Sequence, residues 1–164
     1  MRHAKSSWDY PQLADEDRPL NARGRQAAAR MAEYIKDAGL EPSLVVCTSA
    51  ARARETVERL RPALPKGTQF KFEPRLYTAG SKELLARIKR LSPAVSSVLI
   101  VGHNPAMQDL VLSLASEDRK SAAIRKKFPT AALAVFDAPI DEWKQLAPGG
   151  ASLVEFVTPR SLRG

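Results

Sequence analysis

Only one cysteine and two histidines occur among the 164 residues of this chain. A lone Cys47 closes no internal disulfide, and two histidines with no cysteine near them make a poor metal set, so a disulfide framework and a zinc-type centre are both set aside. No apolar run approaches the ~20 residues that a membrane-spanning helix requires. The opening MRHAKSSWDYPQ has no apolar core of an export signal, so a cytoplasmic protein without a membrane partner is expected. Internal repeats and low-complexity tracts are also missing. What is present is globular, with 44% hydrophobic and 27% charged residues. The length suits one well-buried core and is too short for two, so residues 1–164 read as a single domain.

The charge is lopsided, with 26 Lys and Arg against 18 Asp and Glu and a net charge of +8, which points to an anionic partner. The basic residues are spread over many segments with acids among them, and no helix-turn-helix, zinc or RNP-like pattern accompanies them. Phosphate groups on a target smaller than a nucleic acid meet the same need.

Apolar spacing predicts helices and strands in alternation. Asn21 caps a helix over NARGRQAAARMAEYIKDAG, with Ala28, Met31, Ala32 and Ile35 as its apolar stripe and Gly39 as its end. SLVVCT is a short buried strand that carries Cys47 as an unpaired thiol. SAARARETVERLRPAL is a second helix, with Ala53, Val57, Leu60 and Leu64 inward and Arg54, Glu58, Arg59 and Arg61 in solvent, closed by Pro62 and Pro65. TQFKFE alternates as a strand, SKELLARIKRLSP is a third amphipathic helix, and SSVLIV is a buried strand. In GHNP, Asn104 is expected to cap the helix PAMQDLVLSLAS, with Pro105 at its first position. EDRKSAAIRKKFPT reads as a basic connection, and ALAVFD and SLVEFV are strands flanking a loop that contains Trp143. The fold class expected is α/β, a three-layer sandwich with a mostly parallel central sheet flanked by helices.

In open α/β sheets, ligands bind beyond the carboxyl ends of the strands, where helix N-termini offer N–H groups. His103 falls there, between SSVLIV and the next helix, and Arg52 holds a similar place in the first turn after SLVVCT. A plainer reading stands beside each: His103 as a turn residue, Arg52 as part of a solvated arginine face, and His3, between Arg2 and Lys5, as part of a loose terminus.

Taken in order, Arg2-His3-Ala4, the stretch Asp17-Arg18-Pro19-Leu20 with Arg23-Gly24, Thr48 with Arg52-Ala53 and Thr56, and Gly102-His103-Asn104-Pro105 resemble the signature of the histidine phosphatase superfamily. Within it the short chain looks like the SixA-type phosphohistidine phosphatases. The likeness extends through KFPTAALAVFD, Trp143 and FVTPRSL, and so covers nearly the whole sequence. The resemblance implies a phosphoglycerate mutase-like fold and a phosphatase of signal transduction. His3 matches the nucleophile, Arg2 and Arg52 the arginines that hold phosphate oxygens, His103 the second pocket histidine, and Arg18 a further basic residue of the groove. The substrate it implies is phosphohistidine on a phosphotransfer domain or phosphocarrier protein, with phosphate or another oxyanion in the pocket and no metal or other cofactor. Two alternatives stand: a broad-specificity phosphomonoesterase of the same superfamily, and a non-catalytic basic module that binds phosphoproteins or nucleic acid.

The residue types suit that chemistry. A nucleophilic imidazole must be neutral, and guanidinium neighbours disfavour its protonation while binding phosphate through bidentate hydrogen bonds. Glu73 is the candidate for a general acid, and no motif secures it. No long insertion covers the pocket, which leaves room for a protein side chain. One departure stands out: relatives place five or six apolar residues before this motif as the first, central strand, and here only Met1 precedes Arg2. Either the chain start was assigned at an internal Met, or the first strand is truncated, in which case a gap in the sheet, weaker support for His3, and a free α-amino group near the phosphate are expected.

Overall fold

The structure, a computed structural model, describes residues 1–115 and 119–162. Its strands are β1 (Leu44–Thr48), β2 (Gln69–Glu73), β3 (Val98–Val101), β4 (Leu133–Asp137) and β5 (Ser152–Val157), and its helices are α1 (Ala22–Asp37), α2 (Ala51–Leu60), α3 (Ser81–Lys89), α4 (Ala106–Leu114) and α5 (Arg119–Lys126). β1 is the middle of a parallel three-stranded sheet, order β2-β1-β3, while β4 and β5 pair antiparallel in a second sheet.

All five residues of β1 are buried, because helices cover both faces of its sheet. Leu44 and Val46 pack with Leu84 and Ile88 of α3, Met107 and Leu110 of α4, and Ile124 of α5. Val45 and Cys47 face the other way, among Met31 and Ile35 of α1 and Val57 and Leu60 of α2. Alternate side chains of one strand thus feed two cores, which is the three-layer arrangement. Fully burying an aliphatic side chain of this size contributes roughly 1.5–3 kcal/mol, so a charge at any β1 position would unmake the middle layer. Burial raises the Cys47 thiol to about 12, which keeps it protonated. Among the described residues, no helix is long and apolar enough to cross a membrane.

α1 follows its sequence closely. The Asn21 side chain accepts from the Gly24 amide, Ala28, Met31, Ala32 and Ile35 are buried, and Gly39 leaves the helix at φ +63°. α2 is shorter than its apolar spacing predicts: it stops at Leu60 and tightens into a 3-10 turn over Arg61–Ala63, because Pro62 has no N–H to continue the ladder. Arg54 and Arg61 lie over the rings of Phe72 and Phe70 on edge strand β2, so these two arginines shield apolar surface while exposed.

Two sequence expectations fail after β3. Asn104 does not cap α4; its amide donates to Phe128 O (3.0 Å) and Gln108 Oε1 (3.3 Å), and the Asn104–Pro105 bond is cis. Pro105 is the residue before the helix instead of its first turn, with no side-chain cap. The basic connection contains a helix, α5, whose Ser121 and Ile124 face inward. Ser116, Glu117 and Asp118, at the expected helix end and the start of that connection, lie outside the described residues.

Met1–His3 supplies the rung between the two sheets. It runs parallel to β3, with a bridge from Arg2 to Gly102, and the His3 amide donates to Gly102 O (3.0 Å). On the other side the Arg2 amide donates to Ala132 O and the Ala131 amide to His3 O, each 3.0 Å. His3 is thus held from both flanks, contrary to the expectation of weakened support. The α-amino group sits at the far end of the rung, donating to Ile100 O at 2.8 Å; burial lowers its pKa to about 5, and it adds no charge at the histidines.

Candidate active site

The rung delivers His3 to the carboxyl end of the sheet, and a series of backbone locks fixes the loop that follows. The Ala4 amide donates to Thr56 Oγ1 (3.0 Å), whose hydroxyl donates to Arg52 O (2.7 Å), tying the loop to the first turns of α2. Lys5 is exposed, but its carbonyl accepts from the Asn21 amide at the start of α1 (3.0 Å). A Cβ on Gly24 would lie 2.1 Å from that same carbonyl oxygen, so only glycine lets α1 approach the loop this closely.

The His3 ring is buried, and its Nδ1 lies 2.7 Å from Ala4 O. A carbonyl can only accept, so Nδ1 carries the hydrogen and Nε2 keeps its lone pair. Burial pushes the pKa down to about 3; the Ala4 hydrogen bond opposes this, while His103, Arg52 and Arg2 add to it. His3 is therefore neutral at neutral pH.

His103, two residues beyond β3, brings its ring centroid to 5.0 Å from that of His3, tilted by 55°. Its Nε2 is 3.1 Å from Thr48 Oγ1 at the end of β1, its Nδ1 is buried without a partner, and burial followed by Arg52 lowers its pKa to about 4. Tyr77 sets its ring edge-on to His103, 5.5 Å between centroids.

Three guanidinium groups complete the cluster. Arg52 is buried, not part of a solvated face: its Nη1 donates to Asp15 O (2.6 Å) and its Nη2 to Asp15 Oδ2 (3.0 Å). Arg18 is buried as well, donating to Asp15 Oδ1 (3.2 Å) and to Ser6 Oγ, with the Trp8 ring 3.4 Å from its guanidinium carbon. Arg2 Nη1 donates to Phe128 O (3.0 Å), the carbonyl that Asn104 also engages. The Nε groups of Arg2 and Arg18 are buried and unpartnered, which is costly unless a ligand oxygen meets them.

Asp15 escaped the sequence reading, although it stands three residues before Arg18 in DEDRP. Its carboxylate accepts from Tyr77, Arg52 and Arg18, and these partners, Tyr77 first, hold its pKa below the usual carboxylate range. Tyr77 follows β2 at a strand's carboxyl end, a position that could have marked it. Glu73 is a correction. Both its oxygens are taken by Arg87 of α3 at 2.7–3.0 Å, an ion pair that leaves neither free to carry a proton for a leaving group.

The arrangement presents a neutral imidazole with a free Nε2, a second neutral imidazole, and three guanidiniums, two of them with an unpartnered Nε. It can attack an electrophilic centre bearing negative oxygens and hold those oxygens as the charge redistributes. A protonated carboxyl is not among the described groups in contact with it, because Asp15 is ionised.

Residues 1–78 match the model of the histidine phosphatase superfamily (branch 1). An uncharacterised protein of Mycobacterium tuberculosis is 36% identical over 165 residues, taking in 98% of this chain and 100% of that one. Phosphohistidine phosphatase SixA of Escherichia coli is 29% identical over 116 residues, 70% of this chain and 71% of that protein. A solved structure from Agrobacterium tumefaciens, provisionally assigned as phosphohistidine phosphatase SixA, superposes with a TM-score of 0.83 at 33% identity, covering 97% of this chain and 95% of that one.

Proposed function

Because the chain belongs to the histidine phosphatase superfamily, we propose that it hydrolyses phosphohistidine on a protein, carrying the phosphoryl group transiently on His3. The observation that carries this reading is the His3 ring, hydrogen-bonded at Nδ1 so that Nε2 is free, 5.0 Å from His103 among the arginines. Nε2 attacks phosphorus, the P–N bond of the substrate breaks, and its electron pair returns to the departing imidazole. Water then attacks the phosphohistidine of the enzyme, the P–Nε2 bond breaks, and inorganic phosphate leaves. Arg2, Arg52 and Arg18 hold the phosphoryl oxygens, and His103 adds a donor through Nδ1, so the positive charge comes from the chain itself and no metal takes part.

The ionised state of Asp15 and the capture of Glu73 by Arg87 favour a phosphoramidate over an alkyl ester. A phosphohistidine protonated on its other ring nitrogen departs as neutral imidazole, whose conjugate acid has a pKa of ~6.5; an alkoxide would need a proton from the enzyme. The substrate is then a phosphotransfer domain or phosphocarrier protein in the cytoplasm, and residues 1–164 act as one domain.

The test is incubation with a phosphocarrier protein labelled on histidine, followed by an alkaline quench that preserves phosphoramidates. Label should pass to the wild-type chain and not to His3→Ala. Faster hydrolysis of sugar phosphates than of the phosphohistidine protein would favour the broad phosphomonoesterase, and binding without turnover would favour a non-catalytic module.

A further inference from the structure

Four large hydrophobic side chains are exposed among the described residues, and three of them, Trp8 (76%), Tyr10 (47%) and Leu13 (38%), lie in one loop. Singly exposed apolar residues need no explanation, but an exposed tryptophan grouped with two others marks a surface built for contact. The loop begins four residues after His3 and ends just before Asp15. We propose that residues 7–14, led by Trp8, are the surface on which the polypeptide around the phosphorylated histidine rests. This inference depends on the phosphohistidine reading above.

The loop is pre-organised. The Ser7 amide donates to Pro19 O (2.8 Å), the Asp9 amide to Ser7 Oγ (3.1 Å), Ser7 Oγ to Asp9 Oδ2 (2.9 Å), and the Leu13 amide to Tyr10 O (3.1 Å). One face of Trp8 rests on the guanidinium of Arg18, which shares Asp15 with Arg52. Little order is therefore imposed on the loop when a partner arrives, and a rigid aromatic beside the phosphate site contributes contact at low entropic cost. A phosphoryl group held by the arginines would place its own polypeptide at this edge.

Charge narrows the partner. The chain is +8 overall, yet residues 8–17 hold Asp9, Asp15, Glu16 and Asp17 and no Lys or Arg. Asp15 is taken up by its three donors and Glu16 accepts from Ser49, while Asp17 is exposed beside the site. The matching segment has an apolar residue next to its phosphohistidine and a Lys or Arg nearby, with the acids steering the approach.

Three substrates test this: phosphoramidate, which has the same P–N bond without a polypeptide; a phosphohistidine peptide flanked by Leu and Lys; and the same peptide with Glu for Lys. The quantity read is kcat/KM for the Leu/Lys peptide divided by kcat/KM for phosphoramidate, which cancels any disturbance of Arg18. That ratio is expected to fall about 10-fold in Trp8→Ala, chiefly through KM, and in the same direction in Tyr10→Ser/Leu13→Ser. Wild type is expected to prefer the Lys peptide to the Glu peptide. In a His3→Ala/Trp143→Phe background, where Trp8 is the remaining tryptophan, the Leu/Lys peptide should shift its emission further than inorganic phosphate does, because phosphate reaches Trp8 only through Arg18; an equal shift with both would count against the inference. An unchanged ratio in both variants, or equal losses on peptide and phosphoramidate, would overturn the inference while leaving the phosphohistidine reading intact. Wild type that cleaves neither peptide would overturn that reading instead.

Discussion

Gly24→Ala is a demanding test of how the site is held together. The added Cβ would lie 2.1 Å from Lys5 O, 2.9 Å from Lys5 C and 3.0 Å from Lys5 N, against an ordinary contact that begins at 3.4 Å, so α1 and the loop after His3 must separate by about 1.3 Å. The obstacle is backbone, and Lys5 O is already tied to the Asn21 amide at 3.0 Å. In a free helix, alanine would gain about 1 kcal/mol over glycine. Here overpacking of about 1–3 kcal/mol, together with about 1 kcal/mol for the strained Asn21 cap, outweighs that gain. Net destabilisation should be about 1–3 kcal/mol, visible as a lower urea midpoint. The catalytic effect should be larger, because displacing a reacting group by ~1 Å costs ~10²-fold. Single-turnover transfer to His3, measured under conditions where the variant is fully folded, reads it directly. Gly67→Ala serves as control, since nothing lies within 4 Å of its Cβ. Wild-type transfer rate and wild-type stability in Gly24→Ala would refute this account of the loop.

Stability should also depend on pH through the two rings, which titrate at about 3 and about 4 when folded and at ~6.5 when unfolded. Below pH 6.5 the unfolded chain binds protons that the folded chain refuses, so stability falls with pH by up to about 1.4 kcal/mol per unit for each ring. Urea titrations from pH 7 to 5 should show a steeper loss in wild type than in His3→Gln/His103→Gln, and equal slopes would contradict the assigned burial. Thr48→Val, which removes the hydroxyl 3.1 Å from His103 Nε2, should lower kcat about 10-fold with Thr48→Ser restoring it; nitrogen chemical shifts of His103 would reveal the altered tautomer. Glu73→Gln should leave kcat within about twofold, because its carboxylate serves Arg87, at a stability cost of about 1 kcal/mol; a large drop in kcat would reinstate it as an acid.

Local chemistry made α1 and β1 legible. A cap, an apolar stripe and a terminal glycine specify the helix without reference to anything distant, and LVVCT needs only two covered faces. What escaped was set by remote partners. Asn104 reads as a cap, but Phe128 O, 24 residues away, competes successfully for its amide. Two strand-like segments give no sign by themselves that they run antiparallel in a sheet of their own. α5 is so rich in charge that Ser121 and Ile124 do not form an obvious stripe. In the site, the meeting of His3 with His103 was foreseeable from the family resemblance of the ordered motifs, whereas the arginine-rich spacing around Arg52 reads as a solvated face and gives no sign of its burial. Asp15 and Trp8 were not foreseeable either, since a carboxylate and an aromatic in a polar loop gain meaning only when Arg18 folds back onto both.

The peptide groups of His3 are clasped by Gly102 from one sheet and by Ala131 from the other. Ala131 adopts φ 61°, a left-handed conformation that a non-glycine residue holds only under constraint from its surroundings. His3 therefore works as a keystone. Slippage between the two sheets would be felt first as misalignment of its Nε2 against Arg52, carried by one half, and Arg2, anchored through Phe128 to the other, so on the proposed reading precision at phosphorus is inherited from the stiffness of that joint.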